Sequence, residues 1–313
     1  MTKTKRKLPH VPVRNNKTKK QKLLKTMICS PSINKTSMSK HSCFSPDVLL
    51  YLKQIYNNHN PDNIITSQRP SAIWNAFRKR LNNCLNEECW LNQINDIEIK
   101  NKLKSFIFAP THPSSWNANP RQWLSNVDIA NVLQQYEIKY PEFKSIKPSP
   151  INFDEKLNEQ SCVSDELCRF NINDYKQNNK TKIGIVYNLD KHDQPGSHWV
   201  SLYIDLDADI IFFMDSAGDK VPREIKQFIE RITTQALSMN PPHKLIYHTN
   251  FPRVHQYNDT ECGMYSLFFI ITMLSNRNER KIFKDNEEKL SFFKNRRIPD
   301  KHVFNYRKKY FNS

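Results

Sequence analysis

Glycine is scarce in this 313-residue chain and is concentrated in one region. The glycines are Gly184, Gly196, Gly218 and Gly263. The last three belong to the short segments Gly-Ser-His-Trp (196–199), Asp-Ser-Ala-Gly (215–218) and Thr-Glu-Cys-Gly (260–263). Because glycine is used where the backbone turns sharply or approaches another group closely, this distribution indicates exacting backbone geometry in that region. We therefore look there for a functional site.

The bulk composition predicts a globular protein. Apolar residues make up 38% of the chain, and its length allows one large domain or two modest ones. The longest apolar run, 267–274, is too short to span a bilayer, and the basic N-terminus lacks the apolar core of a signal peptide. We expect a soluble, non-secreted protein with no membrane partner.

The cysteines indicate a reducing compartment. There are seven, an odd number, with no CxxC pair and no regular spacing, which argues against a disulfide scaffold and leaves at least one thiol free for chemistry. Cys84 and Cys89 flank two glutamates but lack the spacing of a zinc ribbon or finger. We expect them on a helix, partly buried, and we predict no metal site.

Positive charge is concentrated at the two ends of the chain. Residues 1–40 contain 12 Lys or Arg and no Asp or Glu, whereas 277–313 contain 12 basic and 5 acidic residues; the rest is close to neutral. Basic ends on a neutral body suit electrostatic tethering to nucleic acid or another polyanion. The alternative is a merely solvated tail, because no aromatic residues interleave the charges of 1–40.

Three regions follow from the pattern along the chain. Residues 1–40 are too polar to bury a core, and we predict a basic disordered tail. Residues 41–105 contain apolar positions at helical spacing behind Pro46 and again over 71–85, which predicts a helical subdomain. Residues 106–313 then form the remaining domain, in which the candidate chemistry lies.

The larger domain is predicted to be α+β, with a mixed β-sheet packed on helices. Alternating β-branched and aromatic residues predict strands over 182–187, 198–206, 210–215 and 244–248. Apolar positions on one face predict a covering helix over 224–237. Residues 262–274 are apolar almost all round, which is typical of a helix buried in the centre of a domain.

A hairpin brings a histidine and an aspartate together. His198 begins one predicted strand and Asp215 ends the next, with a tight turn around Asp207-Ala208-Asp209. Positions equidistant from a hairpin turn face each other, so His198 lies within about two positions of the partner of Asp215. An aspartate that accepts from one imidazole nitrogen fixes the tautomer and leaves the other nitrogen to take a proton from a nucleophile.

Cys262 is the candidate nucleophile. It begins the buried helix, behind Asp259 and Thr260 as candidate caps, where unpaired backbone N–H groups and the helix dipole favour a thiolate. Gln256 offers a side-chain amide that, with the Cys262 N–H, could stabilise the oxyanion of an acyl-transfer intermediate. Each of these residues, taken alone, could have a purely structural role. Their occurrence together and in this order favours a catalytic role.

These residues also resemble a known family. The order and spacing of His198-Trp199, Asp215-Ser216 and Gln256 followed by Cys262-Gly263 are similar to those of the ubiquitin-like-protein-processing (Ulp1/sentrin-type) cysteine proteases. The resemblance is greatest to the viral branch, the core and polyprotein-processing cysteine proteases of large nucleocytoplasmic DNA viruses (African swine fever virus type). It covers roughly residues 105–275.

The resemblance implies a papain-like α+β catalytic domain with defined roles for its residues. Cys262 would be the nucleophile, His198 the base, Asp215 the residue that orients it, and Gln256 part of the oxyanion hole. In the family, two tryptophans sandwich a substrate Gly-Gly, and the residues of this chain that are similar in position are Trp123 and Trp199. The sequence departs from the cellular pattern after Trp123, where Ser125-Asn126 replaces Asn-Asp.

The implied function is a cysteine endopeptidase that processes viral capsid or core precursors at Gly-Gly-Xaa-type sites during virion maturation. Its partners would be protein substrates, with nucleic acid bound through the basic tail, and it would need no cofactor. It would reside in the virion and, during assembly, in the host cytoplasm. One alternative is an isopeptidase that acts on host ubiquitin-like conjugates; another is a basic virion structural protein with a degenerate protease fold.

Overall fold

The computed structural model describes residues 24–33, 42–278 and 280–313. Short 3₁₀ turns lie at Pro61–Asn63, Glu88–Gln93 and Ser114–Asn117. The helices are α1 (Pro46–His59), α2 (Pro70–Arg80), α3 (Ile97–Ile107), α4 (Asn126–Lys139), α5 (Asp165–Cys168), α6 (Ile172–Gln177), α7 (Arg223–Leu237), α8 (Cys262–Leu274), α9 (Asn286–Asn295), α10 (Asp300–Asn305) and α11 (Arg307–Tyr310). Within this part of the chain, no helix combines the length and the apolar character needed to cross a bilayer.

A mixed β-sheet organises the larger part of the molecule. Its strands are β1 (Phe143–Ser145), β2 (Ser149–Pro150), β3 (Lys182–Asn188), β4 (Trp199–Asp205), β5 (Ile210–Met214) and β6 (Ile246–Thr249). They are ordered β1-β3-β4-β5-β6, and β2 also pairs with β3. The β3–β4 and β4–β5 pairs are antiparallel, whereas β1, β2 and β6 pair in parallel with their neighbours.

Helices cover both faces of the sheet, so the α+β prediction is confirmed. On one face, α8 packs against β4 and is buried along its whole length, as expected for a helix that is apolar all round. On the other face, α7 buries Ile225, Phe228, Ile229 and Ile232 against the sheet. The helices and the C-terminal segment that surround α8 enclose it in a separate apolar core. This core fixes the position of the first residue of α8, Cys262.

The N-terminal part of the described chain is helical and has its own apolar core. Helices α1 to α3 surround Trp90 and Phe77, both fully buried. Residues 24–33, which belong to the predicted disordered tail, pack on this core: Met27 is buried, and the Ser30 N–H donates to the Ile107 carbonyl at 2.9 Å. This part of the tail is therefore folded, because Leu24, Met27 and Ile28 supply apolar surface that the overall composition conceals. The rest, 1–23 and 34–40, lies outside the described residues.

The prediction of no disulfides was wrong. The structure pairs Cys29 with Cys43, Cys84 with Cys89 and Cys162 with Cys168, with Cα–Cα separations of 5.2, 5.5 and 6.3 Å. Pairing depends on how closely the folded backbone brings two cysteines together, which irregular spacing does not reveal. The two cysteines do not share one α-helix: Cys84 lies in a loop, and Cys89 lies in the 3₁₀ turn Glu88–Gln93. The cysteines therefore no longer indicate a reducing compartment. Cys262 is left free in the described residues.

Candidate active site

The predicted histidine–aspartate pair is present. His198 immediately precedes β4, Asp215 immediately follows β5, and Ser201 of β4 is opposite Met214 of β5. This register puts His198 two positions from the residue that faces Asp215. The His198 Nε2 atom lies 2.7 Å from the Asp215 Oδ1 atom, so the hairpin prediction of their proximity is confirmed. The carboxylate is buried, whereas the imidazole is partly accessible from outside.

Asp215 is fixed on several sides. The side-chain oxygen of buried Asn250 accepts from the Asp215 backbone N–H at 2.9 Å, and its amide donates to the Asp215 carbonyl at 2.6 Å. The backbone N–H of Ala217 donates to Asp215 Oδ1 at 2.8 Å. The carboxylate oxygen that faces His198 therefore has little freedom to move, and Asn250 acts as a positioning residue for Asp215.

Cys262 lies close enough to the His198 imidazole to help raise the pKa of the ring. Since Asp215 engages Nε2, the ring nitrogen left for the sulfur is Nδ1. Cys262 is the first residue of α8, so its backbone N–H has no partner within the helix. The residue at the N-cap is Glu261, which makes no side-chain cap, so the expectation that Asp259 or Thr260 caps this helix was wrong.

The surroundings of His198 favour its protonated form. Burial by itself would lower the pKa of the ring, but hydrogen bonds to Asp215 and Cys262, together with their negative charges, raise it to about 10. An imidazolium beside a cysteine sulfur favours the thiolate, which is the nucleophilic species. The three side chains thus have the arrangement that cysteine-based acyl transfer requires.

Gln256 presents its amide group in a defined orientation. Its Oε1 atom accepts from the Ser216 hydroxyl at 2.8 Å, and its backbone N–H donates to the Ser216 carbonyl at 2.9 Å. With the oxygen engaged, the side-chain NH₂ group is turned away from Ser216 and can donate to another acceptor. This is the donor that an oxyanion hole would need beside the Cys262 N–H.

The loop after β5 and the loop that carries Gln256 pack closely against each other. Gly218 has φ = +77°, and a Cβ atom there would lie 2.8 Å from the backbone of Arg253 and Val254. The loop after β5 therefore rests directly on the loop that carries Gln256, and any larger residue at 218 would separate them. The glycine marks a close approach of two backbone segments, as its position in the sequence suggested.

Trp199 and Trp123 differ in their surroundings. The Trp199 ring is buried, its Nε1–H donates to the Leu124 carbonyl at 3.0 Å, and its Cδ1 atom would be 3.3 Å from a Cβ atom on Gly263. Trp199 therefore contacts the start of the nucleophile helix. Trp123 is 37% exposed, and no ring contact joins it to Trp199 in the described residues. Leu124 connects the two tryptophans through the backbone.

A buried ion pair lies immediately before the nucleophile. The Arg307 Nε atom of α11 is 3.0 Å from the Glu261 carboxylate, and both side chains are almost fully buried. Arg307 also donates to the Gln122 carbonyl at 2.9 Å and to the Thr260 carbonyl at 3.3 Å. One guanidinium thus joins the segment before Cys262 to the segment before Trp123.

Several of these supporting residues could not be predicted from the sequence. Ser216 and Glu261 stand beside motif residues, but nothing in the sequence assigned them a role. Asn250 and Arg307 gave no signal at all, because their partners are 35 and 46 residues away. Asn250 is separated from Asp215 by the whole of α7 and β6, and Arg307 is brought to Glu261 only by the packing of the C-terminal helices.

The raised pKa of His198 predicts the alkaline limit of activity. We expect kcat/KM of the wild type to fall as the pH rises through about 10, where the ring loses its proton. The interaction of protonated His198 with Asp215 also stabilises the folded protein. This contribution is fully present below the ordinary histidine pKa of about 6.5 and is lost as the pH rises through 10. Asp215→Asn removes one of the groups that raise this pKa, so the limit should move down by about one pH unit or more.

The measurement is the pH profile of kcat/KM on a peptide substrate for the wild type and Asp215→Asn. Asp219→Asn is the matched control, because it makes the same substitution at an exposed position further along the same loop. A limit near pH 10 that Asp219→Asn leaves unchanged and Asp215→Asn lowers is the expected result. An unchanged limit in Asp215→Asn would show that this carboxylate does not set the protonation of His198.

Comparison with known proteins assigns this arrangement to a class. Residues 139–313 match the Ulp1 protease family, C-terminal catalytic domain. This match takes in more than half of the chain and contains His198, Asp215, Gln256 and Cys262. The chain belongs to the Ulp1 protease family and is a cysteine-type peptidase with a papain-like α+β fold.

Individual relatives come from viruses. The chain is 28% identical over 268 residues to a protein of Acanthamoeba polyphaga mimivirus that is assigned as a thiol protease; the match covers 79% of this chain and 84% of that one. It is 33% identical over 162 residues to a cysteine protease of African swine fever virus, covering 49% of this chain and 58% of the relative. The crystal structure of the African swine fever virus protease has the same fold, with a TM-score of 0.62 at 21% identity over 91% of this chain and 95% of that one.

Proposed function

We propose that this protein is a cysteine endopeptidase that processes viral capsid or core precursors at Gly-Gly-Xaa-type sites during virion maturation. The observation that carries the proposal is the contact of His198 Nε2 with Asp215 at 2.7 Å, with Cys262 close enough to help raise the pKa of the same ring. The similarity to viral proteases supports the viral setting.

The proposed reaction has two stages, formation of a thioester on Cys262 and hydrolysis of that thioester, and the same catalytic groups act in both. The Cys262 thiolate attacks the scissile carbonyl carbon, and the Cys262 N–H and the Gln256 amide stabilise the resulting oxyanion. The His198 imidazolium protonates the departing amine, which leaves a thioester on Cys262. The neutral imidazole then takes a proton from water, and the hydroxide attacks the thioester. The Cys262 thiolate leaves as the carboxylic acid product forms, and His198 keeps the proton, which restores the thiolate–imidazolium pair.

The close packing around the start of α8 suits substrates that have small residues before the cleaved bond. Leu124 and Trp199 approach Gly263 so closely that a Cβ atom there would be 3.2 and 3.3 Å from them. A substrate strand that reaches Cys262 passes beside this wall, where the indole of Trp199 is held by the Leu124 carbonyl. We propose that Trp199, with Trp123 on the exposed side, excludes branched side chains from this part of the cleft.

The second candidate function is removal of a ubiquitin-like modifier from a host protein. One observation favours it: the relative from another African swine fever virus isolate, 33% identical over 162 residues, is named a SUMO-1 cysteine protease. The same catalytic groups would serve both reactions, because an isopeptide and a peptide carbonyl react alike. The two functions differ in which folded substrate the enzyme binds.

The test is cleavage of two substrates side by side by the wild type and Cys262→Ala. One is a peptide with a Gly-Gly-Xaa site from a virion precursor, and the other is a ubiquitin-like protein with a C-terminal reporter. Cleavage of the first alone, abolished by the substitution, is the expected result. Much faster cleavage of the second would assign the protein to the deconjugating class, and cleavage of either that survives in Cys262→Ala would exclude the mechanism.

We further propose an organisation that suits this function. Residues 106–313 would form the catalytic domain, and the helical region 41–105 would bind substrate or brace the catalytic domain. The basic residues of 1–40 would tether the enzyme to packaged nucleic acid, and the enzyme would be carried in the virion and act in the host cytoplasm during assembly. Support comes from the charge distribution of the sequence and from the separate apolar core of α1 to α3.

A further inference from the structure

A strongly basic groove lies between the end of α9 and the start of α10. It has a volume of about 480 Å³ and an apolar floor that includes Phe292, Ile298 and Pro299. Among the described residues that line it there is no Asp or Glu. Those residues include five Lys or Arg side chains, Arg280, Lys281, Arg296, Arg297 and Lys301, and one histidine, His302.

The positive charge of this groove is only partly balanced nearby. Lys281 pairs with Glu288 at 2.6 Å, and Arg297 pairs with Asp300 at 3.1 Å. Arg296 and Lys301 are exposed and have no carboxylate within ion-pair distance in the described residues. Like charges brought together in a concave surface repel one another, and an anion bound between them relieves that repulsion.

The groove adjoins the candidate active site but is separate from it. Arg297 donates to the His255 carbonyl at 3.0 Å, and its guanidinium stacks on the Tyr257 ring at 3.5 Å from the centroid. These two residues flank Gln256. Arg297 is therefore held by contacts within the protein. Arg296 and Lys301 are the exposed cations that can contact a ligand.

We propose that this groove binds the phosphate backbone of nucleic acid, as a site distinct from both the basic tail and the protease cleft. Exposed cations without carboxylate partners are what sequence-independent phosphate contacts require, and arginine matches phosphate geometry well. The segment that forms the groove supports this choice, because residues 277–313 contain 12 basic and 5 acidic residues, an excess of positive charge that favours a long polyanion over a singly charged ligand. Binding here does not depend on the proposed protease activity.

The experiment measures the affinity of the full chain for a short DNA duplex at several salt concentrations. Arg296→Gln/Lys301→Gln is compared with Lys79→Gln/Lys102→Gln, a control with the same loss of charge at exposed positions of α2 and α3 that also lack ion-pair partners in the described residues. We expect the slope of log K against log[salt] to become shallower by about 0.9 for each groove cation removed. We expect the control pair to change it much less.

Three further measurements make the result decisive. Unchanged circular dichroism and unchanged cleavage of a short peptide would establish that the groove variant is folded. A poly-glutamate peptide of equal charge tests the other polyanion class, and we expect it to bind more weakly than the duplex. The groove is rejected as a nucleic-acid site if both variant pairs change the slope equally, if neither changes it, or if poly-glutamate binds more tightly than DNA.

Discussion

Replacing Cys262 with alanine is expected to lower kcat/KM by about 10⁴-fold or more, because removal of a catalytic nucleophile leaves only the binding and oxyanion contributions. The fold should be nearly unaffected, since the lost atom is a single sulfur at the first residue of α8. The measurement is steady-state cleavage of a peptide substrate, with the free energy of unfolding from urea titration as a second readout. Cys262→Ser should be almost as inactive, because a serine hydroxyl beside the same imidazole remains protonated.

The matched control for this prediction is Ser266→Ala. Ser266 is buried on the same helix, about one turn further along, so its substitution tests the tolerance of α8 to the loss of one polar atom. We expect less than a tenfold effect on kcat/KM. Alkylation gives an independent check, because Cys262 is the free cysteine of the described residues and should be the thiol whose modification stops cleavage. Appreciable activity in Cys262→Ala would exclude this residue as the nucleophile.

Replacing Arg307 with methionine is expected to lower the free energy of unfolding by about 3–5 kcal/mol, because it leaves the Glu261 carboxylate buried without its partner. The guanidinium also stacks 4.2 Å from the Trp116 ring and donates to the carbonyls of Gln122 and Thr260. The loss should therefore loosen the segments on both sides of the cleft. We expect kcat to fall more than KM rises, because the position of Cys262 changes while most substrate contacts remain.

Two controls separate the ion pair from general damage. Arg169→Met breaks a pair with Asp165 whose side chains are 68% and 54% exposed, and it should cost about 1 kcal/mol or less. The double variant Glu261→Met/Arg307→Met removes both buried charges and should be more stable than Arg307→Met alone. If Arg307→Met and Arg169→Met cost the same, the buried pair is not a major support of this region.

Elements with a strong local pattern could be predicted closely. Helix α8 has the predicted bounds, and α7 begins at Arg223, one residue before the predicted start. Both patterns are set by burial, on one face of α7 and all round α8, so the sequence period reports the tertiary environment directly. By contrast, the sequence pattern predicted neither β1 nor the short β2. Strands this short have too few residues for alternation to appear.

The His198–Asp215 pair could be predicted because a hairpin converts sequence distance into spatial distance. The turn at 207–209 fixes the register, and the register fixes which residues meet at the open end. No such rule connects Ser216 with Gln256 or Asp215 with Asn250, since the partners are 40 and 35 residues apart and meet only through loop packing. The contact between His198 and Asp215 could therefore be predicted from the sequence, whereas the contacts that hold Asp215 and Gln256 in place could not.

The dependence of the cleft on Arg307 has a consequence for the order of events during translation. Arg307 lies 46 residues after Glu261, and it joins the segments on either side of the cleft only once α11 has left the ribosome. Chains fold progressively from the N-terminus as they are synthesised, so α1 to α3 and the sheet can form while the cleft still lacks this link. A nascent chain should therefore reach full activity only after Arg307 has left the ribosome and joined the two segments.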